Sequence, residues 1–196
     1  MLTQTQQSLS TLEEYRKLEE TADFRSEYHD GEIIPITGGT INHNRIIRNL
    51  GRVLGNLVQG KQYEIFLSDL RLWIPTYRRG FYPDVMAIAG KPILNEDRKD
   101  EVLNPSLIVE VLSNSTSDFD RGKKFRFHRS IPALREYLLI NQYEYSVEQY
   151  VKNESEKWLF QEYEGADVNV SLVSLEVEMS MSDIYEGVIF EDEVTE

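Results

Sequence analysis

Two apolar segments of this chain each contain a single carboxylate, and they constrain the fold more than any other feature. The first, residues 81–89, is interrupted by Asp84, and the second, residues 107–112, is interrupted by Glu110. Apolar runs of this length are typical of central strands that are covered on both faces of a sheet. An ionised carboxylate in such surroundings is costly unless it is paired or bound to a metal.

The chain before these segments predicts helices and a hairpin. Ser10 followed by Glu13 forms a capping box, which predicts a short helix. Asp30-Gly31 lies between two strand-like runs and predicts a β-hairpin, because both turn positions need positive φ. Apolar residues recur at helical spacing over residues 41–58 and predict a long helix.

The remaining segments complete an α/β pattern. Strands are predicted at residues 70–74 and 137–140. A helix with a capping signal at Ser117 is predicted at residues 117–129. An edge hairpin is predicted from the strand-like runs at 145–150 and 158–163. Residues 90–105 are expected to form a mobile, exposed loop, and residues 175–196 a short strand, a helical turn at 182–185 and an acidic tail. This order predicts one mixed β-sheet with helices packed on it.

The composition is that of one globular domain. We expect residues 1–196 to form a single domain with its core at about residues 10–190. Cysteine is absent, which excludes a disulfide scaffold, a thiolate metal site and a cysteine nucleophile. No apolar run approaches the roughly 18 residues that span a bilayer, and no signal peptide is recognisable. We therefore expect a cytoplasmic protein.

The net charge of −13 argues against a nucleic-acid partner, but the charges are unevenly distributed. Residues 41–135 hold 16 of the 21 Lys and Arg residues and only 10 of the 34 Asp and Glu residues. A basic middle segment points to an anionic ligand there. Alternatively, the acidic ends simply keep the protein soluble.

Asp84 and Glu110 together predict a metal site. Two carboxylates on successive buried strands would repel each other, and a divalent cation between them removes both the repulsion and the cost of burial. Hard oxygen ligands suit Mg²⁺ or Mn²⁺. The alternative is that each carboxylate lies at a strand end and faces solvent or pairs with an arginine.

Lys124 has two interpretations. It lies four residues after Asp120 on the predicted helix, so the two side chains could form a surface ion pair. Alternatively, Lys124 lies near Asp84 and Glu110, where its charge would orient an attacking water or stabilise a phosphate. The spacing does not decide between these interpretations.

The predicted long helix carries a basic stripe of Arg45, Arg48 and Arg52, with His43 near its start. If DNA is the ligand, these four side chains would contact its phosphate backbone. Otherwise the arginines form a solvated face, and His43 is a cap or packing residue. His29 and His128 receive no predicted function, because the histidines lack the spacing of a zinc site.

Several short motifs occur together in a fixed order. They are Glu27-Tyr28-His29-Asp30-Gly31-Glu32, Ile41-Asn42-His43, Ser68-Asp69-Leu70-Arg71, Tyr82-Pro83-Asp84-Val85, Val109-Glu110-Val111-Leu112-Ser113, Asp120-Arg121-Gly122-Lys123-Lys124-Phe125 and Ile131-Pro132. The set resembles the Uma-type restriction endonuclease family, within the PD-(D/E)xK nuclease-like superfamily. In the usual motif a lysine lies two residues after the second acid, where this chain has Leu112. In the Uma-type family that lysine has moved to the following helix.

The resemblance implies both a fold and an activity. The implied fold is a restriction-endonuclease-like mixed β-sheet core flanked by helices, with an N-terminal hairpin and C-terminal antiparallel strands. The implied activity is Mg²⁺-dependent hydrolysis of DNA, with Asp84 and Glu110 as metal ligands and Lys124 as the catalytic lysine. Lys123 is an adjacent alternative to Lys124.

Glu27 and Glu32 flank the Asp30-Gly31 turn. Glu27 would add a further acid to the catalytic site. The alternative is a surface role, which fits the position of Glu32 at least as well.

A second hypothesis is a non-catalytic, nuclease-like binding or dimerisation module. The displaced lysine and the net charge of −13 motivate it. The Tyr- and Trp-containing strands at 145–150 and 158–163 would then form a homodimer interface. A homodimer also suits an enzyme that cuts both strands of DNA, so dimerisation does not discriminate the two hypotheses. Metal binding does, because a binding module need not hold a metal.

Overall fold

The computed structural model describes residues 9–96 and 98–190, which form a mixed α/β fold. The helices are α1 (Leu12–Glu19), α2 (Ile41–Leu57), α3 (Ser117–Phe119), α4 (Phe125–His128) and α5 (Met181–Ile184). The strands are β1 (Ser26–His29), β2 (Glu32–Pro35), β3 (Tyr63–Leu67), β4 (Arg71–Ile74), β5 (Arg79–Phe81), β6 (Val85–Ala89), β7 (Glu101–Val102), β8 (Leu107–Leu112), β9 (Glu136–Asn141), β10 (Ser146–Lys152), β11 (Trp158–Glu164), β12 (Asn169–Leu172) and β13 (Val177–Ser180).

The N-terminal hairpin forms where the sequence predicts it, because Asp30 and Gly31 both adopt positive φ, at 49° and 105°. The capping box of α1 lies one residue later than predicted. Thr11 Oγ1 accepts from the Glu14 N–H at 3.2 Å, and Glu14 accepts from the Thr11 N–H at 2.7 Å. Ser10 cannot be the cap because its N–H already donates to Gly31 O, at 2.9 Å.

The apolar run at 81–89 is not one strand, contrary to the sequence expectation. It is divided between β5 and β6, which belong to different sheets. Pro83 lies in the break and has no N–H to donate to a strand ladder. Asp84 therefore precedes a central strand instead of interrupting it.

Two main sheets consequently replace the single sheet that the sequence predicts. The larger has the strand order β11-β10-β9-β8-β6-β3, in which only β8 and β9 are parallel. The smaller has the order β2-β1-β5-β4-β7 and contains the N-terminal hairpin. Strands β12 and β13 form a separate antiparallel pair near the C-terminus. The mixed core, the hairpin and the C-terminal antiparallel strands confirm the predicted fold class.

Strand β8 is buried along its whole length, as its apolar run predicts. Val109 and Val111 pack into the core that includes α2, whereas Ile108 and Leu112 pack into the core that includes α4. Since side chains alternate along a strand, Glu110 lies on the same face as Ile108 and Leu112. This face is covered by the helical segment that follows β8.

That helical segment differs in detail from the predicted helix. Ser117 is the first helical residue and not the cap, and Thr116 makes no capping hydrogen bond through its side chain. A π-helical turn at Asp120–Lys124 separates α3 from α4. Turns of this kind are frequent at functional sites, and this one buries the side chains of Asp120 and Lys124.

The described residues at 90–100 are mostly exposed, as the sequence predicts, but a buried ion-pair network anchors the loop at Glu101. Its short strand β7 pairs in parallel with β4. Glu101 is fully buried and accepts hydrogen bonds from Arg16 at 2.9 Å, Arg71 at 2.8 Å and Asn95 at 2.9 Å. The sequence does not reveal this network because Arg16 is 85 residues from Glu101.

The C-terminal elements follow the prediction with small shifts. Strands β10 and β11 form the expected edge hairpin, and the last helical turn is α5, one residue earlier than predicted. Part of the predicted acidic tail, residues 191–196, lies outside the described residues. None of the helices in the described part of the chain has the length and apolar character needed to cross a membrane.

Candidate active site

A cavity of about 630 Å³ brings several predicted residues together. Its walls come from β1, the loop after β2, the start of α2, the break before β6, strand β8 and the helical segment after β8. Its ionisable and amide side chains include Glu27, His29, His43, Asp84, Glu110, Asn114, Asp120, Lys124 and Gln142. All four residues predicted to be catalytic therefore line one cavity, and His43 joins them.

Asp84 is fixed in the cavity through one of its two carboxylate oxygens. Its Oδ2 accepts a hydrogen bond from the Val111 N–H at 2.8 Å and lies 3.3 Å from His43 Nε2. The described residues make no such contact with Oδ1. Strand β8, which carries Glu110, therefore also orients the Asp84 carboxylate through the neighbouring backbone amide.

Glu110 is 3% exposed, and its carboxylate is close to the ammonium group of Lys124. Glu110 Oε1 and Lys124 Nζ are 2.8 Å apart and form a buried ion pair, and this oxygen has no other polar partner among the described residues. Burial raises the pKa of Glu110 well above its ordinary value; the Lys124 charge opposes this shift, and the carboxylates of Asp84 and Asp120 add to it.

Lys124 contacts acids from both interpretations of its sequence position, but its pair with Asp120 is buried and does not lie on the surface. It pairs with Asp120 at 3.3 Å and with Glu110 at 2.8 Å. Burial lowers the pKa of Lys124, but the negative charges of Glu110, Asp120 and Glu27 outweigh burial and hold that pKa well above its ordinary value. Lys123 is exposed to solvent, so the cavity takes only Lys124 of the two candidate lysines.

Glu27 enters the cavity with a partner that sequence reasoning missed. Its Oε2 lies 2.9 Å from Nε2 of His29, which had no predicted function. A usable signal was present in the sequence, since residues two apart on a strand project from the same face. Glu27 and His29 are so related on β1, and both line the cavity.

The His43 ring lies in space that is open because Gly39 has no side chain. A Cβ atom built on Gly39 would lie 2.6 Å from His43 Nδ1, so the absence of a side chain at Gly39 leaves room for the histidine ring. Thr40 caps α2 by accepting from the His43 N–H at 3.1 Å. The cap and the glycine together direct the ring towards Asp84.

The arginine stripe of α2 lies away from the cavity. None of its three arginines belongs to the cavity lining. Arg52 pairs with Glu186 at 2.5 Å, Arg48 donates to Asn49 Oδ1 at 3.0 Å, and Arg45 donates to Asn42 Oδ1 at 3.2 Å. Their proposed contact with the DNA backbone stays a prediction.

The strands predicted to form a homodimer interface lie at one edge of the larger sheet. Strand β11 is the edge strand, and its Leu159 and Phe160 are both more than half exposed. Self-association through this edge stays a prediction.

The donor atoms of the cavity fit a hard divalent cation. Asp84 Oδ1 accepts no hydrogen bond from the described residues, and Glu110 presents its carboxylate to the same cavity with Oε1 paired to Lys124. Carboxylate oxygens are the ligands that Mg²⁺ and Mn²⁺ prefer. Within residues 9–96 and 98–190 no group of three or more His, Cys, Asp or Glu side chains is placed to hold a metal. Water and substrate oxygens would therefore complete the coordination, as Mg²⁺ sites commonly allow.

Two proteins of Synechocystis sp. (strain ATCC 27184 / PCC 6803 / Kazusa) are similar to this chain over most of its length. Uncharacterized protein sll1609 is 47% identical over 167 residues, which cover 85% of this chain and 94% of the relative. Uncharacterized protein slr1290 is 36% identical over 180 residues, which cover 91% and 92%.

A solved structure and a family model complete the comparison. The crystal structure of a protein from Anabaena variabilis ATCC 29413, described as "a putative nuclease belonging to DUF820", superposes with a TM-score of 0.73 at 21% identity, over 92% of this chain and 99% of that one. This likeness shows a shared fold. The model of the family Uma2, described as "Putative restriction endonuclease", matches residues 12–182, and the chain therefore belongs to the Uma2 family.

Proposed function

We propose that this protein is a Mg²⁺- or Mn²⁺-dependent endonuclease that hydrolyses phosphodiester bonds in DNA. One observation carries the proposal: the buried Glu110 carboxylate lies 2.8 Å from the Lys124 ammonium, in a cavity that also holds Asp84. A carboxylate pair with an adjacent cationic side chain is suited to phosphoryl chemistry, because it can hold a metal and stabilise phosphate charge together.

The charge of the cavity explains why a metal would be needed. Four carboxylates and one ammonium group line it, together with two histidines. This excess of negative charge would repel a phosphodiester. A divalent cation held by Asp84 and Glu110 would offset most of this negative charge and would place a positive charge next to the phosphate.

The side chains around the metal would then have distinct roles in the reaction. The chemistry supplied by a bound divalent cation is polarisation of the scissile phosphate and a lower pKa for a bound water. The Val111 N–H and His43 hold Asp84 in place through Oδ2. Because its pKa is raised, Lys124 keeps its proton at neutral pH. It therefore stabilises negative charge on the phosphate and does not accept a proton.

Cleavage of DNA by the purified protein tests this proposal. We expect a supercoiled plasmid to be nicked or linearised in the presence of Mg²⁺ or Mn²⁺, and we expect a chelator to stop the reaction. If the protein stays inert with either metal and with duplex or single-stranded DNA, the proposal is wrong. The non-catalytic binding module then becomes the better hypothesis.

Lys124→Met should lower the cleavage rate by about 100- to 1,000-fold, the usual loss when one preorganised charge partner of a transition state is removed. Methionine keeps the buried apolar stem of the side chain, but it leaves the buried carboxylates of Glu110 and Asp120 without their cation, so circular dichroism must first show that the variant is folded. Lys123→Met removes the same charge from the exposed neighbouring position and should cut at the rate of the parent. Equal rates for the two variants would show that Lys124 has no role in cleavage.

Gly39→Ala should weaken Mn²⁺ binding by about tenfold, because residues that orient a metal ligand typically contribute at this level. The added methyl group would displace the His43 ring, which contacts Asp84. Gly38→Ala is a matched control, because a Cβ atom on Gly38 meets nothing within 4 Å. Titration calorimetry with Mn²⁺ measures both variants, and identical affinities would mean that His43 does not orient Asp84.

A further inference from the structure

The proposed endonuclease lacks an obvious acceptor for the proton of its attacking water. The Lys124 ammonium is held by Glu110 at 2.8 Å and Asp120 at 3.3 Å, and an ammonium group has no lone pair to accept a proton. Asp84 and Glu110 are assigned to the metal. A positioned group that takes a proton from the water as it attacks phosphorus would speed the reaction by about 100- to 10,000-fold.

Glu27 and His29 form a second polar pair in the same cavity. His29 Nε2 lies 2.9 Å from Glu27 Oε2, and both side chains are largely buried. The His29 ring is held between two aromatic rings, with centroid distances of 5.0 Å to Phe81 and 6.0 Å to Phe119. These two aromatic contacts limit the rotation of the His29 ring.

The contact with Glu27 determines which nitrogen of His29 can act as a base. An ionised carboxylate only accepts hydrogen bonds, so His29 Nε2 must carry the hydrogen that Glu27 accepts. In the neutral ring Nδ1 is then unprotonated, and the described residues make no hydrogen bond to it. A carboxylate that fixes a histidine tautomer in this way is the arrangement used by hydrolytic triads.

Charged side chains of several elements surround His29. Glu27 lies on its own strand, Glu32 is its register partner on β2, and Arg79 is its register partner on β5. Asp120 and Lys124 line the cavity from the helical segment after β8.

We propose that His29 is the general base of this reaction and that Glu27 is its positioning residue; this inference rests on the proposed endonuclease function. The water oxygen forms a bond to phosphorus while its proton passes to His29 Nδ1. The bond between phosphorus and the leaving oxygen breaks, and the leaving oxygen keeps the electron pair and takes a proton from solvent. Glu27 stabilises the imidazolium ring, which afterwards returns its proton to solvent.

His29→Gln tests the kinetic part of the proposal. Glutamine can still donate to Glu27 but cannot accept a proton, so we expect the cleavage rate to fall by about 100-fold or more. The wild-type rate should decline on acidification between about pH 8 and pH 5, where histidine side chains take up protons, and this decline should be absent from the variant. Mn²⁺ affinity should be unchanged, because His29 contacts neither Asp84 nor Glu110.

A spectroscopic measurement tests the dyad without relying on activity. The chain has three histidines, so long-range ¹⁵N correlation spectra can be assigned with single His→Gln variants. We expect the Nε2–H tautomer for His29 in the metal-free protein, and a change in its ring ¹⁵N shifts in Glu27→Gln. An Nδ1–H tautomer of His29, or ring ¹⁵N shifts that stay the same in Glu27→Gln, would show that Glu27 does not position His29.

The possible outcomes separate the two proposals. An active wild type together with a His29→Gln variant that keeps the full rate and the acid decline overturns the base assignment alone. A wild type that cuts no DNA overturns the endonuclease function and the base assignment with it, whatever tautomer the spectra show.

Discussion

The double substitution Asp84→Asn with Glu110→Gln should abolish Mn²⁺ binding and slow DNA cleavage by at least about 1,000-fold, equivalent to about 4 kcal/mol of transition-state stabilisation. Both amides keep the shape of the side chains but lack the negative charge that a hard cation requires. Titration calorimetry with Mn²⁺ and a plasmid-cleavage assay measure the two effects.

The same variant should remain folded. The amide oxygen introduced by Asp84→Asn could still accept from the Val111 N–H, as the Asp84 carboxylate does, and Lys124 would keep Asp120 as its counter-ion. Burial and the carboxylates of Asp84 and Asp120 raise the pKa of Glu110, so an uncharged side chain at this position removes a buried repulsion between like charges. Asp69→Asn with Glu162→Gln makes the same charge change at exposed positions and should bind and cut like the parent. A double variant at positions 84 and 110 that retained either activity would show that the cavity carboxylates hold no metal.

Glu101→Gln should destabilise the protein by about 3–5 kcal/mol, the usual cost of removing one partner from a buried ion pair. Glu101 is fully buried and lies between Arg16 and Arg71, and Arg71 is itself almost fully buried. The amide would leave the charge of Arg71 without its closest counter-ion. For a chain of this length the loss corresponds to a fall in Tm of about 10 °C, which thermal unfolding measures.

The penalty of Glu101→Gln should depend on pH with a defined sign. Burial raises the pKa of Glu101, but hydrogen bonds from Arg16 and Asn95 and the charges of Arg16 and Arg71 outweigh burial and lower the pKa below its ordinary value. The carboxylate therefore stabilises the fold above the ordinary glutamate pKa of about 4.3, and this contribution is lost as the pH falls towards the lowered pKa. The difference in stability between parent and variant should be greatest at neutral pH and shrink in acid.

Glu96→Gln provides the control within the same network. Glu96 also contacts Arg16, at 3.3 Å, but its side chain is 74% exposed. An exposed pair of this kind contributes at most about 1 kcal/mol, so Tm should change by only a few degrees. Equal destabilisation by Glu96→Gln and Glu101→Gln would contradict the assignment of the stability to burial.

Local sequence signals predicted the elements whose formation depends on nearby residues. The Asp30-Gly31 turn, the long helix α2 and the buried strand β8 all form where their patterns indicate. Each depends on contacts within a few residues or on a face that is apolar over its whole length. The family match confirms the resemblance that the ordered motifs suggested.

Features that depend on contacts between residues far apart in the chain could not be predicted from local patterns. The run at 81–89 is apolar throughout apart from Asp84, so no periodicity marks the point where the chain leaves one sheet for the other. Only the pairing of β5 with β1 and β4, and of β6 with β3 and β8, shows this division. The anchored loop around Glu101 was missed for the same reason.

The sequence by itself determined the class of fold, the family and the residue types available for chemistry, because motifs, periodicity and turn residues are local properties of the chain. Only the tertiary structure decided that Lys124 and not Lys123 enters the cavity, that His43 contacts Asp84, and that His29 joins Glu27. These choices depend on the packing of α2, β1 and the helical segment after β8 against the central sheet. A rotation of one residue in that helical segment would exchange the two lysines, and such a rotation is set by contacts between elements far apart in sequence.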